Sequence, residues 1–146
     1  MPAPRRAANV GVAHGAWGED VAVEWLRARG YVIVDRNVHP CLADRRLELD
    51  VVAYDRALDL MVFVEVKQHA ARSDYQRRLR SLDRRKRLAV AHACRSWLRW
   101  NRWRGSYRFD VIEVYGTPGS GRRPEVDHVE RVVLFKGEDR FVNWFD

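Results

Sequence analysis

At 146 residues, with 47% hydrophobic and 32% charged residues and a net charge of +7, the chain has enough apolar material for one folded domain and too much for disorder. It contains no run near the ~20 apolar residues of a membrane helix, no apolar stretch behind the N-terminal arginines such as a secretory signal needs, and only two cysteines, Cys41 and Cys94, without metal-ligand spacing. These features exclude a disulfide scaffold and predict a soluble, cytoplasmic single domain over 1–146, with residues 1–14 flexible.

In chain order, Gly11 to Gly18 reads as a small-residue entry to a helix in which Val21, Ala22, Trp25 and Leu26 form one apolar stripe. Gly30 is placed to stop that helix, and Tyr31 to Val34 reads as a strand. Asn37 to Arg46 contains Pro40 and no period, which predicts a loop. Leu47 to Tyr54 and Leu60 to Lys67 predict two strands around the polar turn Asp55 to Asp59. A long helix is expected from Arg77 to about Trp100, with Leu79, Leu82, Val90, Ala93, Cys94, Trp97 and Leu98 on its apolar face. Tyr107 to Tyr115 and Val126 to Phe135 read as the last strands, separated by the turn-rich Gly116 to Pro124, and Phe141, Trp144 and Phe145 form an aromatic tail. The expected order is α-β-β-β-α-β-β, an α/β fold with a mixed central sheet flanked by helices.

The charge is unevenly spread. Eleven arginines and Lys86 lie between Arg77 and Arg108 against a single acid, Asp83, so the rest of the chain is net acidic. A basic segment of this kind favours a polyanionic partner. Nucleic acid is the expected partner, met through Arg84, Arg85 and Arg87, and no membrane is expected. Trp100 and Trp103 stand among these arginines, where they can stack on unpaired bases, whereas Trp97 has core spacing.

Strand alternation brings the acids together. In Leu60 to Lys67 one face carries Met61, Phe63, Glu65 and Lys67; in Leu47 to Tyr54 one face carries Glu48, Asp50, Val52 and Tyr54. Matching the apolar faces of a hairpin requires, for instance, Leu49 opposite Val66 and Val51 opposite Val64. That register sets Asp50 opposite Glu65 and Glu48 opposite Lys67, and a slip of one residue would scatter them. Two apposed carboxylates repel, and a divalent cation such as Mg²⁺ relieves the repulsion with oxygen ligands. A lysine beside such an ion can orient an attacking water or offset developing charge. Taken alone, Glu65-Val66-Lys67 fits a cross-strand surface pair better than a site; the apolar run before it and the facing Asp50 bring the metal-site reading level with it.

The segments GEDVAVEWLRARGYVIVDRN, LELDVVAYDRALDLMVFVEVK, RRKRLAVAHACRSWL and RFDVIEV, in this order, resemble the YraN-like family of bacterial proteins, uncharacterised protein family 0102, over about Gly11 to Val133. That family is similar to the PD-(D/E)xK nuclease superfamily, which includes archaeal Holliday-junction resolvases. The resemblance implies a restriction-endonuclease-like core. It implies Asp50 as first acid, Glu65 and Lys67 as the acid–lysine pair, Glu19 as an additional N-terminal acid and Glu48 as a further one, with Mg²⁺ or Mn²⁺ on Asp50 and Glu65. Lys86 and Arg108 match basic positions able to contact phosphate, and His128 matches a histidine more often structural than catalytic. Asp110 reads as a strand-end acid or a support for the site. Departures are Leu47, where the family usually has glycine before its first acid, the longer loop from Asn37 to Glu48, and His69 followed by no glycine turn. The implied activity is a metal-dependent endonuclease, a hydrolase cleaving DNA in preference to RNA, on branched or single-stranded structures; a homodimer is compatible with it. Two alternatives stay open: a non-catalytic nucleic-acid-binding adaptor on the same fold, and a protein-binding module whose arginine-rich helix meets an acidic partner.

Overall fold

β-Branched and aromatic residues at alternate positions, broken by short polar turns, produce a sheet rather than a bundle. The computed structural model describes residues 16–71 and 84–134. Its elements are α1 (Ala16–Ala28), β1 (Val32–Val38), β2 (Leu49–Asp55), β3 (Leu60–His69), α2 (Arg84–Trp100), β4 (Ser106–Tyr115) and β5 (Glu125–Val129). This is the α-β-β-β-α-β-β order expected from the sequence. The five strands form one sheet in the order β1-β2-β3-β4-β5, antiparallel except for the parallel pair β3–β4. A parallel pair requires a crossover, and α2 lies in it.

The two faces of the sheet carry separate cores. Ala22, Val23 and Leu26 of α1 pack on Val51, Ala53, Val62, Val64 and Ile112. Val90, Cys94, Trp97 and Leu98 of α2 pack on Val52, Met61, Phe63, Tyr107 and Phe109 on the other face, with Phe63 and Trp97 rings edge to face at 5.6 Å. The β2–β3 ladder pairs Val51 with Val64, Val52 with Phe63 and Ala53 with Val62, the register that matched apolar faces require. At the end of α1, the Tyr31 amide donates to Leu26 O at 3.1 Å and Gly30 takes φ +88°, a left-handed stop that suits glycine.

Strand β2 opens at Leu49, two residues after the expected Leu47, and β3 runs on to His69; three boundaries differ from expectation by more than two residues. Helix α1 is already formed at Ala16, so Gly18 and Glu19 lie in its first turns rather than before it. Strand β1 continues to Val38 because the register shifts between Ile33 and Asp35; this bulge breaks the alternation and hides Asp35, Arg36 and Asn37 from a period-2 pattern. Strand β5 ends at Val129 because Arg131 turns left-handed (φ 57°) and its amide donates to Asp110 Oδ1 at 3.0 Å, while Val132 N returns to Phe109 O. The N-terminal 1–14, the helical span from Arg77 to Asp83, Phe135 and the tail with Phe141, Trp144 and Phe145 lie outside the described residues. Among the described residues no helix is long and apolar enough to cross a membrane.

Candidate metal centre

The β2–β3 ladder stops at Val51–Val64, and what happens next builds the site. The Val66 amide donates at 2.9 Å to Asp50 Oδ2 instead of to a backbone carbonyl of β2. The Asp50 side chain thereby takes a ladder position between the strands. It also shares a hydrogen bond with Glu65. Burial, reinforced by the charge of Glu65 and then Glu19, lifts the Asp50 carboxyl to about 8 against the opposing Val66 N–H.

Helix α1 brings a third carboxylate. Gly18 lets the helix approach β3 closely: a Cβ there would meet Gln68 Oε1 at 2.8 Å and Gln68 Cβ at 3.2 Å. Glu19 is therefore 6% exposed, with Oε2 buried and without a hydrogen-bond partner among the described residues. Its pKa is raised, first by burial, although a hydrogen bond to Asn37 works the other way, and further by Glu48. Glu48, exposed just before β2, completes a group: one oxygen each from Glu19, Glu48 and Asp50 lie within 4.8 Å of one another. This cluster can hold a metal ion. An all-oxygen donor set with a buried carboxylate oxygen, unpartnered among the described residues, suits a hard cation.

The acids open into a cleft of about 250 Å³ lined by Arg46, Leu47, Glu48, Asp50, Glu65, Lys86, Ala89 and Val90. Lys67 Nζ lies 3.6 Å from Glu65 Oε1, and Lys86 Nζ of α2 lies 3.1 Å from the same oxygen. The Lys67 pKa is lowered, by burial first and then by Lys86. That of Lys86 is raised: burial opposes this, but Glu65 and Lys67 together outweigh it. Lys67 thus pairs with Glu65, not with Glu48 across the hairpin, since β2 begins only after Glu48.

Asp50, Glu65, Lys67, Glu19 and Glu48, the five residues singled out for chemistry, meet in one place. The nucleic-acid candidates divide. Arg84 opens α2; Arg85 is exposed and Arg87 half-buried. Lys86 belongs to the acidic cleft. Trp97 is core at 1% exposure, as its spacing required. Trp100 is 41% exposed. Trp103 is half-buried: its Nε1 donates to Ser106 O at 3.0 Å, its ring meets Tyr54 edge-on, and it lines a separate cleft with Arg99, Arg102 and Arg104. Arg108 is corrected: at 2% exposure it is out of reach of phosphate, held by Asp110 through Nε at 3.0 Å and by Tyr31 Oη at 2.8 Å. Asp110, fully buried, also accepts from His128 Nε2 at 2.7 Å, so the histidine has the structural place expected of it.

Two features have no signal in the sequence. The approach of Lys86 to Glu65 depends on where α2 docks, which no local pattern encodes. The half-buried His69, farther along the Lys67 face, pairs through Nε2 with Oε2 of the fully buried Glu113, and its ring stacks on Tyr115 at 5.1 Å. The parallel β3–β4 register sets Glu113 beside Lys67, but the β4 sequence alone gives no partner strand.

A model of the family described as "Uncharacterised protein family UPF0102" matches residues 18–114, a span that contains every acid and lysine of the cleft. A UPF0102 protein of Mycobacterium tuberculosis is 37% identical over 121 residues, covering 81% of this chain and 90% of the relative. Relatives of the same designation from Leifsonia xyli and Herpetosiphon aurantiacus are 32% and 29% identical, covering 82% and 84% of this chain and 94% of each relative. On the extent of these matches, the chain belongs to the UPF0102 family.

Proposed function

We propose that the chain is a Mg²⁺- or Mn²⁺-dependent endonuclease on a PD-(D/E)xK core, hydrolysing phosphodiester bonds in DNA, with branched or single-stranded DNA as substrate. The observation that carries the reading is the convergence of Asp50, Glu65 and Lys67 at the open end of the β2–β3 hairpin, beside Glu19 and Glu48. Asp50 and Glu65 would hold the ion, with Glu19 and Glu48 supplying further oxygen. A divalent ion there supplies Lewis acidity and a water of lowered pKa. The Lys67 ammonium orients the attacking water and offsets charge that develops on the phosphate. The basic face of α2 neutralises the backbone of the bound strand.

A second reading, a non-catalytic nucleic-acid-binding adaptor on the same fold, draws on the two lysines at Glu65, which balance that carboxylate without a metal. Cleavage separates the two. Branched, single-stranded and duplex DNA are incubated with Mn²⁺ and wild type, Lys67→Ala or Asp50→Ala, with binding measured in parallel. Lys67→Ala is expected to lose about 10²–10³-fold in rate while keeping affinity, since its charge acts on groups present only in the transition state. Cleavage that survives in both variants marks a contaminant, and absence of wild-type cleavage on every substrate leaves the adaptor.

A further inference from the structure

We infer that Lys86 is an internal cation that holds the Glu65 carboxylate in the metal-free chain, yields it to an entering divalent ion, and then turns its ammonium to a substrate phosphate. The inference rests on the metal-site reading above and adds a residue that the acid–lysine pattern of β3 does not contain.

Geometry distinguishes the two lysines. Both ammonium groups point at one oxygen, Glu65 Oε1, and the one from α2 is nearer, 3.1 Å against 3.6 Å. A metal ion on Glu65 would bring a third centre of positive charge to a carboxylate already shared by two, and their repulsion favours the withdrawal of one lysine. Lys67, on β3, has a side chain 17% exposed; Lys86, on the rim of the cleft, is 39% exposed and is the one nearer solvent.

The position of Lys86 on its helix favours the same assignment. Of Arg85, Lys86 and Arg87, Lys86 is the one that lines the cleft, sharing its helical face with Ala89 and Val90 at i+3 and i+4. Arg85, exposed one residue before it, belongs to the same basic segment, so a Lys86 ammonium released from Glu65 stays within the helix turn proposed to meet phosphate.

Residue chemistry supplies the last argument. The chain uses arginine 24 times and lysine three times, yet two of the three lysines sit on this carboxylate. An arginine would grip Glu65 with a planar, bidentate fork. A lysine offers one compact point charge on a flexible four-carbon stem, which releases a carboxylate without breaking paired bonds.

The test titrates the full chain with Mn²⁺ alone, with no nucleic acid, and counts free ion by electron paramagnetic resonance. Lys86→Gln is expected to raise Mn²⁺ affinity at least about fivefold, the lower end of coupling between two sites. Lys86→Arg is expected to lower it, and Asp50→Asn to abolish binding. With Mn²⁺ saturating, Lys86→Gln is expected to bind a short single-stranded oligonucleotide more weakly than wild type. If wild type binds Mn²⁺ and Lys86→Gln binds it equally or less well, the Lys86 inference falls while the metal site stands. If neither wild type nor any variant binds Mn²⁺, the metal-site reading falls and takes the inference with it.

Discussion

Asp50 and Asp110 are aspartates of one sheet, on β2 and β4, and their surroundings are opposite. Asp110 is completely buried and fully answered: Arg108 Nε at 3.0 Å, His128 Nε2 at 2.7 Å and the Arg131 amide at 3.0 Å all donate to it. Asp50 receives one amide, from Val66, and faces Glu65 and Glu19, with Lys67 and Lys86 acting on it as more distant charges. Burying a charge is costly unless it is paired and hydrogen-bonded. Around Asp110 the fold supplies the partners itself and ties β5 and the Tyr31 end of β1 to β4. Around Asp50 burial and the neighbouring acids outweigh the one amide, and the carboxyl is lifted to about 8. The contrast separates a carboxylate whose charge the fold answers in full from one whose charge it answers in part.

Removing each acid is the strongest way to break that contrast. Asp110→Ala leaves Arg108 buried without its carboxylate, and breaking a buried pair in this way costs about 3–5 kcal/mol. Asp50→Asn relieves repulsion and is expected to leave the metal-free protein as stable as wild type or more so. Urea unfolding in chelator measures both. If Asp50→Asn proves as damaging as Asp110→Ala, Asp50 is structural too.

Acidity sharpens the contrast further. The Asp50 carboxyl is lifted from 3.8 to about 8, so the folded chain holds that proton more tightly than the unfolded chain does. Its contribution to stability is complete below about pH 4 and is lost as pH rises through about 8. The unfolding free energy of the metal-free protein should therefore decline between about pH 4 and pH 8, and Asp50→Asn should flatten the decline. Mn²⁺ affinity should rise over the same interval, because binding expels the proton. Unfolding curves across that range, with and without Mn²⁺, check the sign.

The smallest effect concerns the basic helix. Reversing Arg84, Arg85 and Arg87 to glutamate should weaken DNA binding for every sequence. It should also reduce the slope of log affinity against log salt by roughly 0.9 for each phosphate that is no longer neutralised. Anisotropy titrations at several salt concentrations read it. An unchanged slope would place the phosphate-binding surface elsewhere, with the arginines around Trp103 the next region to test.

How much of this is legible in the sequence depends on whether the cause is local. The β2–β3 register follows from alternation, because a one-residue slip would turn Val51, Ala53, Val62 and Val64 away from α1. The expected continuation, Leu49 opposite Val66 and Asp50 opposite Glu65, does not follow: the ladder ends at Val51–Val64, Leu49 packs with Val52 on the α2 side, and Asp50 meets Glu65 through side chains. Glu19 is legible as a residue but not as part of a helix, since the absent side chain of Gly18 matters only once Gln68 stands opposite. Arg108 reads as a phosphate contact and Asp110 as a strand-end acid or a support for the site; their mutual pairing is completed by Tyr31 and His128, contributed by distant segments. The approach of Lys86 likewise needs the docking of α2, a tertiary event without a period.

The parallel pairing of β3 with β4 also shapes the chain's birth. Glu65 and Lys67 leave the ribosome with β3, but the strand that closes its other edge is complete only at Tyr115. At about 5–20 residues per second, translation reaches that point roughly several seconds later. The nascent polypeptide thus carries Glu19, Glu48, Asp50, Glu65 and Lys67 before Lys86 of α2 and before the strand that closes the other edge of β3.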